Sequence, residues 1–238
     1  MSGPYVVALF GAAGRMGREI VRQAPPFERL RLVHAYDSAH VGVKIESLTI
    51  EAPPSVLPEA VRAVLDFSVA AAVLDHLELA MRAGAAYVCG VTGLSQEMMN
   101  ELRAAGNEIP VLHSPNMAVG MNLMFHLSAL TAKALPDYVR HIEEIHHAAK
   151  KDTPSGTALR LRDSIENATG EDTEITALRM GDVVGEHRVI FGGPGERLEI
   201  THRADSRTVF AIGALRAVTW VLEHRYPGFY GMKDVLGL

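Results

Sequence analysis

The segment that most narrows the folds open to this chain is its beginning. A near-continuous apolar run, Tyr5–Phe10, leads straight into Gly11-Ala12-Ala13-Gly14-Arg15-Met16-Gly17. An unalternating apolar run of this length fits a strand buried on both faces, as parallel strands covered by helices are. The glycines turn the chain, and a helix is expected to about Gln23, where Pro25-Pro26 stops it. The same alternation then repeats. Strands are expected at Arg31–Tyr36, Ala63–Phe67, Ala86–Gly90 and Val111–His113, and helices at Val69–Ala83, capped by Gly84, and at Ser95–Ala105. Strand–helix alternation of this kind predicts an α/β fold with a doubly wound parallel sheet.

The pattern changes after Pro115. A long apolar helix is expected over Val119–Leu135, a strand over His141–His146 and a helix over Gly156–Ala168. Ile175–His202 reads as strand, broken by Gly192-Gly193-Pro194-Gly195, and Phe210–Leu222 is helical again. The chain therefore reads as a domain built from residues 1–117 and 209–238, with an inserted α+β domain at 118–208. Strands without crossover helices often pair between subunits, so an oligomer is expected.

Composition removes several function classes. The 238 residues carry a formal net charge of −5, where a nucleic-acid binder would show a basic excess. Cys89 is the single cysteine, so neither a disulfide framework nor a cysteine metal site is available. The Tyr5–Phe10 run is too short to span a membrane and has no basic leader, so a cytoplasmic protein is expected.

The glycine turn sits where an anion site is built. A helix beginning near Gly14 directs backbone N–H groups at a pyrophosphate, and Gly17 allows close helix–strand packing. The spacing is G-x-x-G-x-x-G, with Ala13 where a second glycine is usual. Asp37, twenty residues past Gly17, ends the second strand and could accept hydrogen bonds from a ribose 2′-hydroxyl. These features predict dinucleotide binding by Gly11, Ala12, Ala13, Gly14, Arg15, Met16 and Asp37. Ser38 follows Asp37, so no adjacent arginine would clamp a 2′-phosphate, and NADH is expected over NADPH. Gly90, Val91 and Thr92 close a strand at the same edge. Ser114, Pro115, Asn116 and Met117 lie where the sheet domain hands over to the inserted one, a natural place for a ligand. Asp66-Phe67-Ser68 is a weaker candidate, and Phe67 reads more readily as core.

Glu143, Glu144, His146, His147, Lys150, Lys151 and Asp152 form a dense polar run leading into Pro154-Ser155-Gly156-Thr157, which opens a helix. Ser155, Gly156 and Thr157 supply hydroxyls and close-approach backbone at a helix N-terminus, an arrangement suited to a carboxylate. Histidine delivers a proton near neutral pH, and lysine stabilises or protonates a developing anion. No H-E-x-x-H and no clustered third ligand are visible, so no metal is expected. The residues alone predict a reductase of a small anionic substrate.

These residues also carry a resemblance. Gly11–Gly17, Asp66-Phe67-Ser68, Gly90–Gly93, Asn116–Asn122, Glu143–Leu159, Gly185–Val189, Glu199–Ala214 and Met232–Leu236 resemble the 4-hydroxy-tetrahydrodipicolinate (dihydrodipicolinate) reductase family. The resemblance implies a Rossmann-like domain, a central substrate and tetramerisation domain, and a homotetramer. It also implies reduction of a dicarboxylate in lysine and diaminopimelate biosynthesis, with NADH, or NADPH as the alternative, as hydride donor. It places His146 as proton donor, Lys150 as second donor, and His147, Gly156 and Thr157 at substrate carboxylates. Val91 stands where threonine is common and Met117 where phenylalanine is common. The chain is shorter than many members, between about residues 38 and 60. Two other readings are a different two-domain nicotinamide oxidoreductase, acting on a sugar or on a semialdehyde (the last would need a nucleophilic cysteine), and a non-catalytic NAD sensor, which would need neither His146 nor Lys150.

Overall fold

The structure, a computed structural model, describes residues 3–224 and 226–238. The chain divides into two compact units, one running to Ala118 and resuming at Thr208–Gly237, the other Val119–Arg207. In chain order the first unit supplies β1 (Tyr5–Phe10), α1 (Arg15–Gln23), β2 (Leu30–Tyr36), β3 (Lys44–Ile45), β4 (Leu48–Glu51) and β5 (Val61–Asp66). It continues with α2 (Val73–Ala83), β6 (Ala86–Cys89), α3 (Gln96–Ala105) and β7 (Pro110–His113). The second unit contains α4 (Val119–Ala134), β8 (Val139–His146), α5 (Gly156–Thr169), β9 (Glu174–Arg179), β10 (Gly185–Gly193) and β11 (Glu196–Ala204). The chain then returns to the first unit through α6 (Thr208–His224), β12 (Gly228–Tyr230) and α7 (Met232–Leu236).

The first unit is a Rossmann-like sheet in the order β12-β7-β6-β5-β1-β2-β4-β3. Every pairing is parallel except β3 with β4. The strand order reverses at β1, so the carboxyl ends beside it form the crevice where α/β sheets bind ligands. Backbone hydrogen bonds knit that edge: Gly11 N–H donates to Tyr36 O, Phe67 N–H to Phe10 O, Gly90 N–H to Asp66 O and Ser114 N–H to Cys89 O. β1, β5 and β6 are almost wholly buried, which is why they read as unbroken apolar runs.

Below this edge lies one buried acid. Asp66 accepts from Ser68 N–H (2.8 Å) and the Tyr87 hydroxyl (2.7 Å), and lies 2.8 Å from His76 Nδ1. Burial would raise its pKa, but the His76 hydrogen bond and charge, with the Ser68 and Tyr87 bonds, pull it below the usual range. The network pins the end of β5 to α2 and β6.

Five elements depart from the sequence expectation. The helix expected from Val69 starts as a 3-10 turn at Ala70–Ala72, and the α-helix begins at Val73. β3 and β4 pair antiparallel through a turn with Glu46 at φ 52°. They are too short to show a period. β12 and α7 are likewise short, and β12 closes the sheet beside β7.

The second unit is a four-stranded sheet, β11-β10-β8-β9, with a single parallel pairing between β8 and β9. α4 and α5 pack together on one face, α4 against β11 and α5 against β8 and β9. Ile142, Val189 and Phe191 of the sheet and Leu161 and Ile165 of α5 are all fully buried. The opposite face is uncovered by helix. It carries Val139, Ile145, Leu178 and Ile190 among ion pairs from Arg188 to Glu143 and Glu199. No helix among the described residues is long and apolar enough to cross a membrane.

Candidate functional site

In the first unit the glycine turn is built from backbone. Gly11 adopts φ 76°, and a Cβ there would lie 2.4 Å from Phe67 O. A Cβ on Gly17 would lie 2.2 Å from Gly11 O, so only glycine lets α1 approach the turn this closely. Gly14 caps α1 without a side-chain hydrogen bond, and the first turn holds no acid. That helix N-terminus therefore keeps both its dipole and its outward N–H groups for a phosphate. Asp37 accepts from Ala13 N–H (3.0 Å) and Ala39 N–H (2.9 Å), which fixes the carboxylate against the turn. A cavity of about 490 Å³ opens beside it, lined by Gly11, Gly14, Asp37, Ser38, Phe67 and His76 among others. Phe67 is thus half-buried and faces the cavity rather than sitting in the core. Among the described residues of that lining there is no lysine or arginine, and Asp75 adds a second acid. The set fits the ribose and pyrophosphate of a dinucleotide.

The other expected cofactor residues share the sheet edge but present themselves differently. Gly90 packs so tightly that a Cβ would meet the Phe67 ring at 2.3 Å. Val91, Ser114 and Met117 are buried, so only their backbone is available to a ligand, whereas Thr92 and Pro115 are exposed. Ser114 Oγ donates to Asn116 O (2.7 Å), and Asn116 Oδ1 accepts from Ala118 N–H (2.9 Å), which shapes the loop. Ala12 is buried, Met16 is half-buried and Arg15 is exposed.

In the second unit the acid–base residues gather around a carboxylate that the sequence reading had left in the general polar run. Glu144 and His146 lie two residues apart on β8, hence on the same face, and both are buried. Glu144 Oε1 accepts from Ser155 N–H (2.9 Å) and Arg179 Nη2 (3.1 Å). Its Oε2 accepts from Ser155 Oγ and lies 3.2 Å from His146 Nδ1, an ion-pair contact rather than an aligned hydrogen bond. Burying a charge costs several kcal/mol unless it is paired and hydrogen-bonded. Here desolvation would raise the Glu144 pKa, and the bonds from His146, Ser155 and Arg179 outweigh it, holding the group at about 2. His187, the register partner of Glu144 on β10, meets the His146 ring edge-on at 5.1 Å. Desolvation, with His146 beside it, pushes the His187 pKa down to about 3, so it is a neutral imidazole at pH 7.

The start of α5 completes the group. Ser155 is the N-cap, accepting from Ala158 N–H (3.1 Å) while its hydroxyl donates to Glu144. This corrects one sequence expectation: the Ser155 hydroxyl is committed to the cap and to Glu144. What the turn offers an anion is the backbone from Gly156 onward. Asp152 shows the preference, because its carboxyl lies 2.9 Å from Lys150 Nζ. The Lys150 hydrogen bond, helped by Gly156 N–H, holds it below the usual carboxylate range. Lys150 and His147 are half-buried at this end of the unit.

Glu144, Arg179 and His187 were not singled out from sequence. The two-residue spacing of Glu144 and His146 was the readable signal; Arg179 and His187 needed the strand register. Glu144, His146 and His187 also bring carboxylate and imidazole atoms within 4.8 Å of one another, a third ligand that the sequence did not show. Both Glu144 oxygens are already met by three hydrogen-bond donors and the His146 ring, and a cation there would face Arg179. The cluster therefore fits proton chemistry better than a metal. Cys89 is buried, and desolvation pushes its thiol up to about 12, which makes it inert as a nucleophile.

Comparison with known proteins covers both units. The family model "Dihydrodipicolinate reductase, N-terminus" matches residues 5–117, and "Dihydrodipicolinate reductase, C-terminus" matches residues 120–236. The 4-hydroxy-tetrahydrodipicolinate reductase of Archaeoglobus fulgidus is 39% identical, over 97% of this chain and 99% of its own length. The enzyme of that name from Syntrophobacter fumaroxidans is also 39% identical, over 97% of this chain and 98% of its own. Among solved structures, a dipicolinate-bound dihydrodipicolinate reductase from Paenisporosarcina sp. TG-14 shares the fold. Its TM-score is 0.82 at 23% identity, over 97% of this chain and 99% of that one.

Proposed function

The chain belongs to the dihydrodipicolinate reductase family, and we propose that it reduces 4-hydroxy-tetrahydrodipicolinate to tetrahydrodipicolinate, the 4-hydroxyl leaving as water, in lysine and diaminopimelate biosynthesis. The observation that carries this reading is the buried Glu144–His146–Ser155 assembly at the start of α5. It sets a proton donor beside a carboxylate-binding helix end. A reduced nicotinamide, held by Gly11–Met16 and Asp37, supplies a hydride when bound. The chain's own residues do the rest. Gly156, Thr157, His147 and Lys150 hold the substrate carboxylates by backbone N–H groups and positive charge. His146 gives up the proton, with Lys150 as second donor.

We infer a preference for NADH over NADPH from the cavity beside Asp37, where a 2′-phosphate would meet two acids. The measurement is kcat/KM for each cofactor; a clear NADPH preference would reverse the inference. A homotetramer is proposed on the uncovered face of the four-stranded sheet, where apolar residues and ion pairs alternate. Sedimentation velocity reads the state directly. A cytoplasmic site of action follows from the pathway. The reductase reading itself is tested by following NADH absorbance with the product of dihydrodipicolinate synthase. Absence of turnover with either cofactor would overturn it.

A further inference from the structure

Glu144 is 0% exposed, and three hydrogen-bond donors and the His146 Nδ1 at 3.2 Å meet its two oxygens. Carboxylates are seldom buried this completely unless they hold something in place. What this one touches is specific: the imidazole at the end of β8, the cap of α5, and Arg179 at the end of β9. Arg179 also donates to Asp152 O, which fastens the connection before α5. On the far side of the His146 ring, a Cβ at Gly185 would lie 3.1 Å from Nε2, so glycine there leaves that nitrogen room. Neutral His187 packs edge-on without adding a charge.

We propose that Glu144 is the positioning residue for His146. It accepts the proton on Nδ1, fixes the imidazole tautomer and ring plane, and leaves Nε2 as the nitrogen that exchanges a proton. Through Ser155 the same carboxylate locks the ring to the anion-binding end of α5. A carboxylate that orients a catalytic imidazole in this way holds its correct tautomer and stabilises the imidazolium. The 3.2 Å contact is loosely aligned in the free protein, as catalytic hydrogen bonds often are before substrate binds. The proposal rests on the reading of His146 as proton donor.

The test is Glu144→Gln in the full chain. It keeps the size and the Ser155 N–H acceptor but removes the charge. The kcat is expected to fall at least tenfold with KM for NADH unchanged, and Glu144→Asp, which retains the charge, is expected to recover part of the loss. In a His146→Gln background, Glu144→Gln should cost no more than about twofold, because the two act as one unit. Equal losses in both backgrounds would make Glu144 merely structural and overturn the proposal. A second readout needs neither substrate nor a variant at 144. The ¹⁵N resonances of the His146 ring, identified by their loss in His146→Gln, should show a proton on Nδ1 in the wild-type protein. A bare Nδ1 sinks the proposal. Wild-type protein without reductase turnover would overturn the functional reading instead and leave the tautomer result to decide this one.

Discussion

At the carboxyl end of β1, the site proposed for an anion is built of backbone. Gly11, Gly14 and Gly17 contribute by having no side chain, and one acid, Asp37, is fastened to the turn by Ala13 N–H. At the carboxyl end of β8 the start of α5, proposed to bind an anion, is tied to side chains instead. Ser155 caps α5, Glu144 holds Ser155, and His146 and Arg179 hold Glu144. The first region tolerates almost no added atom; the second tolerates almost no lost charge. Recognition of a large, invariant cofactor can rest on shape, whereas proton transfer needs groups whose protonation state is set by neighbours.

Four substitutions and one change of pH press on that contrast, in descending order of expected effect. His146→Gln and Lys150→Ala should each lower kcat by about 10²–10⁴-fold, the usual range for a lost acid–base group, while NADH affinity is unchanged. Near-normal turnover in both would dissolve the distinction. Gly17→Ala should do the reverse. Its Cβ falls on rigid backbone at 2.2 Å, and overpacking of that kind costs about 1–3 kcal/mol. A rise of about tenfold or more in the NADH Kd is expected by fluorescence titration, with dicarboxylate binding intact.

Acid should expose the side-chain-built region first. The folded pKa of His187 is depressed to about 3, below its unfolded value of about 6.5. Its contribution to stability is therefore complete above the unfolded value and is lost as pH falls toward the folded one, at about 1.4 kcal/mol per pH unit. Glu144, depressed to about 2, contributes fully above an unfolded value of about 4.3 and loses that only as pH drops toward the folded one. Asp66 of the first unit follows the same sign in the carboxylate range. Urea midpoints are thus expected to fall between pH 6.5 and 4.5, before the buried carboxylates Glu144 and Asp66 are protonated; equal midpoints across that window would refute the order. Val91→Thr should have the smallest effect. The Val91 side chain is buried, so kcat/KM should stay within about twofold while the buried hydroxyl costs about 1 kcal/mol.

The glycine turn was legible because its determinants are contiguous: strand, turn and helix follow one another within Tyr5–Gln23. The buried cluster was only half legible. His146, Lys150 and the Ser155–Thr157 turn lie on one short stretch, and their order already separates proton chemistry from anion binding. Arg179 and His187 reach the cluster through pairing registers, β9 to β8 and β10 to β8. Such registers are set by packing across the sheet, not by neighbours in sequence. Ser155 shows the complementary limit. Its place at a helix start was readable, but the sequence reading offered its hydroxyl to a ligand; the hydroxyl goes instead to a carboxylate eleven residues earlier, on another element.

The return of the chain through α6 has a temporal meaning. α6 packs against α1, β5, β6 and β7, and Thr208 Oγ1 donates to Glu19 on α1 at 2.7 Å. During synthesis the residues of β1 to β7 emerge first, yet the helix that covers their sheet emerges last. The inserted unit is continuous from Val119 to Arg207 and has every element it needs before α6 leaves the ribosome. The later-encoded unit is therefore the first that can finish folding, and the cofactor-binding sheet waits for nearly the whole polypeptide, its apolar face a client for chaperones in the interval.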